Sequence, residues 1–158
     1  MPSSHLSSAR VLAFHDTRSG SSLARAVFDV NSIMTEPTRV LDQVRDGVEI
    51  SRLVPVMEAL GTTQQEIAEL LGTSAKTVAR LKKSGGKLDL RASDRTARLV
   101  RVFDRAVEVL GDAGRARTWL QTPNPSLGGS APLGWLDTDA GTVEVLSILG
   151  RIEHGVFS

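Results

Sequence analysis

The chain of 158 residues has no cysteine, which excludes disulfides and thiolate-ligated zinc and fits a reducing compartment. No apolar run nears the roughly 18 residues a membrane helix needs, and the start lacks the apolar core of a signal peptide. The three histidines, His5, His15 and His154, lie far apart. None has a carboxylate or second histidine at helical ligand spacing, so neither a metal site nor an acid/base pair is expected. The phosphate-cradling pattern G-x-x-x-x-G-K-[ST] is missing, serine-nucleophile motifs are missing, and Gly128-Gly129 alone reads as a turn. No segment alternates as a convincing strand does. These absences predict an all-α, cytoplasmic protein that is not an enzyme, takes no cofactor or metal, and has no membrane partner.

What is present is an apolar content of 41%, enough for one compact domain or two small ones. The most informative stretch is Thr63 to Lys83. Thr63 followed three residues later by Glu66 is a capping box that opens a first helix. Ile67, Leu70 and Leu71 form its apolar face, and Ala68 is small where another helix approaches. Gly72 stops this helix and Ser74 caps a second that runs to about Lys83. Val78 and Leu81 point that second helix inward and leave Lys76, Thr77, Arg80 and Lys83 outside. This is the helix-turn-helix pattern. Ser74, Lys76, Thr77, Arg80 and Lys83 are the candidate DNA-binding residues, with operator DNA the expected partner. A helical hairpin that packs in this shape without touching DNA stays open as the alternative.

A net charge of +1 conceals an uneven distribution. Residues 1–75 carry 6 basic and 9 acidic side chains, residues 76–117 carry 12 and 5, and residues 118–158 carry 1 and 4. The positive field therefore begins at the second helix of the motif, where it suits a polyanion.

Residues 1–22, rich in serine, read as a flexible tail, and Leu23 to Met34 as a short amphipathic helix interrupted at Glu36-Pro37. Thr38 is placed to cap a helix that Gly47 ends, and Ser51 to Leu60 as the helix that packs on the motif. Ser93 is the expected cap of the longest helix, 93–110, with Leu99, Val102, Phe103, Ala106 and Leu110 on one stripe. Arg95, Arg98, Arg101 and Arg105 share a neighbouring face that phosphates, an acidic partner or solvent can occupy. Ala116 to Leu120 reads as a short helix, and the proline-containing stretch after it as extended. A helix start is expected at Ala131-Pro132, running through Leu133 to Leu136. Asp137 or Thr138 caps the final helix, whose Val143, Leu146, Leu149 and Ile152 recur in three-residue steps. For Trp119 the bland reading is core; Trp135 and Phe157 suit either core or a partner.

The last forty residues resemble a known family. Trp119-Leu120, Thr122-Pro123-Asn124-Pro125, Leu127-Gly128-Gly129, Pro132-Leu133, Leu136-Asp137-Thr138, Gly141, Val145, Leu149, Arg151-Ile152-Glu153 and Gly155-Val156-Phe157 resemble the toxin-binding domain of the Xre/ParS (MbcA-like) antitoxins. There it follows an Xre-type helix-turn-helix, and the resemblance runs from about Val40 to the end. Two positions depart from the family pattern: Arg80 is followed by Leu81 where a second arginine is usual, and Trp135 replaces a smaller or polar residue. The resemblance implies a bacterial type II antitoxin whose partner is a RES-domain toxin that consumes NAD and is blocked by contact over its cofactor pocket. Carried over, the toxin-binding residues are Leu127, Gly128, Pro132, Trp135, Arg151, Glu153, Gly155, Val156 and Phe157. The implied layout is an N-terminal region 1–38, a helix-turn-helix domain 39–110 and a toxin-binding domain 111–158, working as a homodimer in a larger toxin-antitoxin complex. The alternative is a free-standing regulator whose C-terminal domain only dimerises or senses a ligand.

Overall fold

The computed structural model describes residues 22–155; the tail reading for the start of the chain, and Val156 and Phe157, fall outside them. Among the described residues the fold is all-α, with eight helices and no strand beyond two isolated bridges. They are α1 (Leu23–Phe28), α2 (Pro37–Asp46), α3 (Leu53–Leu60), α4 (Gln64–Leu70), α5 (Ala75–Ser84), α6 (Leu90–Leu110), α7 (Ala113–Gln121) and α8 (Asp139–Glu153). No helix among them is long and apolar enough to cross a membrane.

The 21-residue helix α6 is the axis of the molecule. Its buried Leu99, Val100, Val102, Phe103 and Ala106 pack against α1, α2, α7 and α8, so one apolar core runs from the N-terminal helices to the last one. Two clasps tie α3 to the elements beside it. Ile50 N–H donates to Gly86 O at 3.0 Å and Leu88 N–H to Val48 O at 2.8 Å, which ties the chain entering α3 to the chain leaving α5. From α7, Arg117 Nε donates to Ala59 O at 2.9 Å and Gln121 Nε2 to Leu60 O at 2.7 Å. Those are carbonyls of the last turn of α3, which have no partner inside their own helix.

Several boundaries differ from the sequence reading, each for a local reason. Asp89, not Ser93, caps α6, its carboxylate accepting from Ala92 N–H at 2.8 Å. Ser93 is wholly buried one turn further in, where its hydroxyl accepts from Val48 N–H at 2.9 Å. Pro37 opens α2 at a position whose N–H would be unpaired anyway, so Thr38 does not cap it. Helix α1 spans Leu23–Phe28 only, because Asp29 turns left-handed at φ 53° and pairs with Arg52 at 2.9 Å. Pro132–Trp135 is a single 3-10 turn rather than the start of a helix. Thr138 is the cap of α8, but the buried stripe is Gly141, Thr142, Val145, Ile148 and Leu149, and Val143 is 59% exposed.

Candidate functional site

The unit α4-turn-α5 forms as its residues dictate. Thr63 Oγ1 accepts from Glu66 N–H at 3.2 Å while the Glu66 carboxylate accepts from Thr63 N–H at 2.7 Å. Ile67 and Ala68 of the first helix, Leu71 at its C-cap and Val78 of the second are buried, which locks the two helices together. Gln64 adds a fastening that sequence reasoning missed. Its amide nitrogen donates to Ala75 O at 3.4 Å and its oxygen accepts from Lys82 Nζ at 2.9 Å. A glutamine at the first position of a capped helix gives no local sign of a partner eighteen residues away.

Ser74 is the N-cap of α5; its Oγ accepts from Thr77 N–H at 3.0 Å and donates to Thr77 Oγ1 at 2.9 Å. Lys76, Arg80 and Lys83 are exposed and, among the described residues, form no ion pair. Their spacing of four and three puts them on one face of the helix. The structure thus brings the five DNA-binding candidates together on a surface whose free cations match phosphate oxygens.

The turn itself is specific. Gly72 adopts φ +70°, and a Cβ there would lie 2.9 Å from Arg95 Cζ, since the Arg95 guanidinium of α6 rests on this turn. Gly72→Ala is expected to cost about 1 to 2 kcal/mol for the left-handed backbone alone. Gly85→Ala, at φ +65° with open space around it, carries the backbone cost without the neighbour. Urea titration of both variants checks this, the larger loss being expected at Gly72.

The arginine face of α6 turns largely inward on the protein's own groups. Arg98 pairs with Asp94 at 2.5 Å and donates to Asp137 O at 3.2 Å, just before α8. Arg105 grips the Glu153 carboxylate with both terminal nitrogens, one bond at 3.2 Å, and also meets Glu108 at 3.1 Å. The hydrogen bond from Arg105 holds the Glu153 carboxyl below the usual range, and the same bond raises the Arg105 guanidinium. The acidic partner open in the sequence reading is therefore partly α8 of the same chain.

The toxin-binding candidates fall into two groups. Leu127 and Pro132 are buried, so their side chains support the surface from within. Gly128, Glu153 and Gly155 are exposed, and Trp135 and Arg151 are half-buried, Arg151 lying 3.5 Å from Glu144. Asn124 Oδ1 accepts from Ser126 N–H at 2.9 Å and Asn124 N–H donates to Ser130 O at 3.0 Å, which closes the loop presenting Gly128.

Sequence reasoning also passed over Asp104. It projects from α6 to the start of α1, accepting from Leu23 N–H at 2.7 Å and Ala24 N–H at 2.9 Å. Burial pushes its carboxyl up to about 6, against the pull of these two bonds. Among the described residues no cluster of three His, Asp or Glu side chains could hold a metal ion.

Comparison with known proteins divides the chain at α6. Residues 39–101 match an antitoxin Xre-like helix-turn-helix domain, and residues 105–155 match the antitoxin Xre/MbcA/ParS C-terminal toxin-binding domain. The Antitoxin Xre of Yersinia enterocolitica is 34% identical over 77% of this chain and 82% of its own length. The Antitoxin Xre of Photorhabdus laumondii is 37% identical over 82% of this chain and 81% of its own. A Sphingobium protein named Prs ADP-ribosylating antitoxin is 25% identical over 77% and 82%. Among solved structures, a chain of the M. tuberculosis MbcT-MbcA toxin-antitoxin complex superposes with a TM-score of 0.53 at 28% identity, over 69% of this chain and 96% of that one.

Proposed function

The chain belongs to the Xre/MbcA/ParS family of type II antitoxins, and on that premise we propose that it covers the active site of a RES-domain, NAD-degrading toxin and represses its own operon through α4 and α5. The observation that carries the reading is the order of two domain matches on one chain, a helix-turn-helix and then a toxin-binding domain. The free cations Lys76, Arg80 and Lys83 on the outer face of α5 support the DNA half. One helix-turn-helix reads few base pairs, so high specificity calls for a homodimer on the operator. For the toxin half, the name of the Sphingobium relative associates that protein with ADP-ribosylation, a chemistry that draws on NAD.

The test is co-purification of the tagged chain from its native host, with mass spectrometry of what binds and an NAD assay on the released partner. The expected result is a stoichiometric partner that consumes NAD only after this chain is stripped away. Recovery of the chain alone supports instead a free-standing regulator whose C-terminal domain dimerises or senses a ligand. Arg80→Ala tests the separation of the two surfaces. Operator affinity should fall about tenfold, the usual scale for one lost contact of this kind, while toxin neutralisation is unchanged. Loss of both together would contradict separate surfaces.

A further inference from the structure

A cleft of about 700 Å³ lies between α4 of the helix-turn-helix and the 3-10 turn Pro132–Trp135 of the C-terminal module. Its walls combine apolar Leu70 and Leu133 with three carboxylates, Glu66 and Glu69 from α4 and Asp137 just before α8, against the single cation Arg95. Its guanidinium lies against the Gly72 turn, and the cleft as a whole sets three carboxylates against this one cation. Glu66 is engaged in the capping box, and Glu69 accepts only from the Gln65 amide at 3.3 Å. The Asp137 carboxylate forms no ion pair among the described residues; it is the backbone oxygen of this residue that Arg98 holds. Thr62 also lines the cleft, with its Oγ1 shut off from solvent and without a hydrogen-bond partner. Such a site is shaped for a long side chain with a hydrocarbon stem and a cationic head.

We propose that this cleft receives an arginine or lysine side chain of the toxin, so that the toxin-binding surface extends beyond the C-terminal module onto α4. The inference rests on the antitoxin reading above. Charge complementarity identifies the occupant: a protein that holds the NAD pyrophosphate must present cations around that pocket, and the cleft presents unpaired carboxylates. Position agrees, because Leu133 and Gly134 of the cleft wall belong to the same 3-10 turn as Trp135, one of the toxin-binding candidates. Glu69 is the decisive residue. It lies outside the matched toxin-binding domain, 105–155, on the first helix of the DNA-binding unit.

The experiment compares the wild type, Glu69→Gln/Asp137→Asn and Glu69→Lys/Asp137→Lys, in full-length chains, for affinity toward the NAD-consuming protein that co-purifies with the wild type. Both positions are exposed, so the variants should fold and melt as the wild type does. Neutralisation should weaken binding about tenfold and reduce its salt dependence; reversal should weaken it at least a hundredfold. Wild-type binding with unchanged affinity in both variants overturns the cleft assignment and leaves the antitoxin reading intact. Absence of any NAD-consuming partner for the wild type overturns that reading, and the cleft assignment falls with it. If the reversed variant alone melts early, the neutral pair decides, because it keeps the shape and hydrogen-bonding capacity of both side chains.

Discussion

Gly141→Ala is expected to destabilise the folded chain by about 3 kcal/mol, the upper end of what overpacking a core site costs. Gly141 lies in the first turn of α8, buried against the 3-10 turn of Pro132–Trp135. A Cβ there would sit 2.9 Å from the Trp135 carbonyl carbon, closer still to its oxygen, and 3.0 Å from Thr138 Oγ1. Neither obstacle is the free end of a flexible side chain. Trp135 offers backbone, and the Thr138 hydroxyl is fixed by capping Gly141 N–H at 3.0 Å. Relief requires α8 to move away from the 3-10 turn, which opens the contacts of Val145 and Leu149 with the core. Gly150 supplies the control from the same helix. A Cβ at Gly150 meets nothing within 4 Å, and alanine there should stabilise by about 0.5 to 1 kcal/mol through helix propensity. Thermal melts followed by tryptophan fluorescence read both, Trp135 reporting on the strained contact. Equal stability of the two variants would remove the close approach from the account.

The contrast between these glycines marks what the sequence can reveal. Features that close within four residues were readable: the Thr63–Glu66 capping box, the Ser74 cap and the Thr138 cap all stand where side-chain chemistry puts them. Features set by a distant chain were not. Ser93 reads as a cap from its neighbours, yet Val48, forty-five residues away, claims its hydroxyl, and Asp89 takes the role. The three-residue periodicity of Val143, Leu146, Leu149 and Ile152 was visible, but a one-sided pattern does not say which side meets α6, and Val143 faces solvent. The α6 arginines could be placed on a common face without knowledge that Arg105 would meet Glu153, forty-eight residues on. The same limit applies to the candidate surfaces. The residues of α5 lie within one helix and could be named together, whereas the cleft between α4 and the C-terminal module is assembled from segments more than sixty residues apart.

Asp104→Asn is expected to cost most at mildly acidic pH and progressively less toward neutrality. The carboxylate receives two backbone N–H groups, those of Leu23 and Ala24, and both residues are buried. An asparagine keeps one acceptor but sets its amide against the second N–H, which should cost about 1 to 2 kcal/mol; alanine would orphan both, for about 2 kcal/mol or more. The pH dependence follows from the raised carboxyl. Groups around Asp104 act in both directions: Glu108 raises it further by repulsion, while Arg101 and Arg105 stand on the same stretch of α6 and the two N–H bonds favour the charge. Burial prevails, and the carboxyl sits at about 6 against 3.8 in the unfolded chain. The folded state therefore binds this proton the more tightly. Its contribution to stability is full below about 3.8 and is lost as the pH rises through about 6, a change on the order of 3 kcal/mol. Asp29, Glu36 and Glu153, whose carboxyls are held low, contribute with the opposite sign and only at more acidic pH. Subtracting the variant from the wild type at each pH cancels them. Denaturant titrations from pH 5 to 7.5 should show the gap between wild type and Asp104→Asn closing as α1 loses the advantage of a protonated anchor. A gap that stays constant over that range would mean that the Asp104 carboxyl does not titrate there, and that its two backbone bonds outweigh its burial.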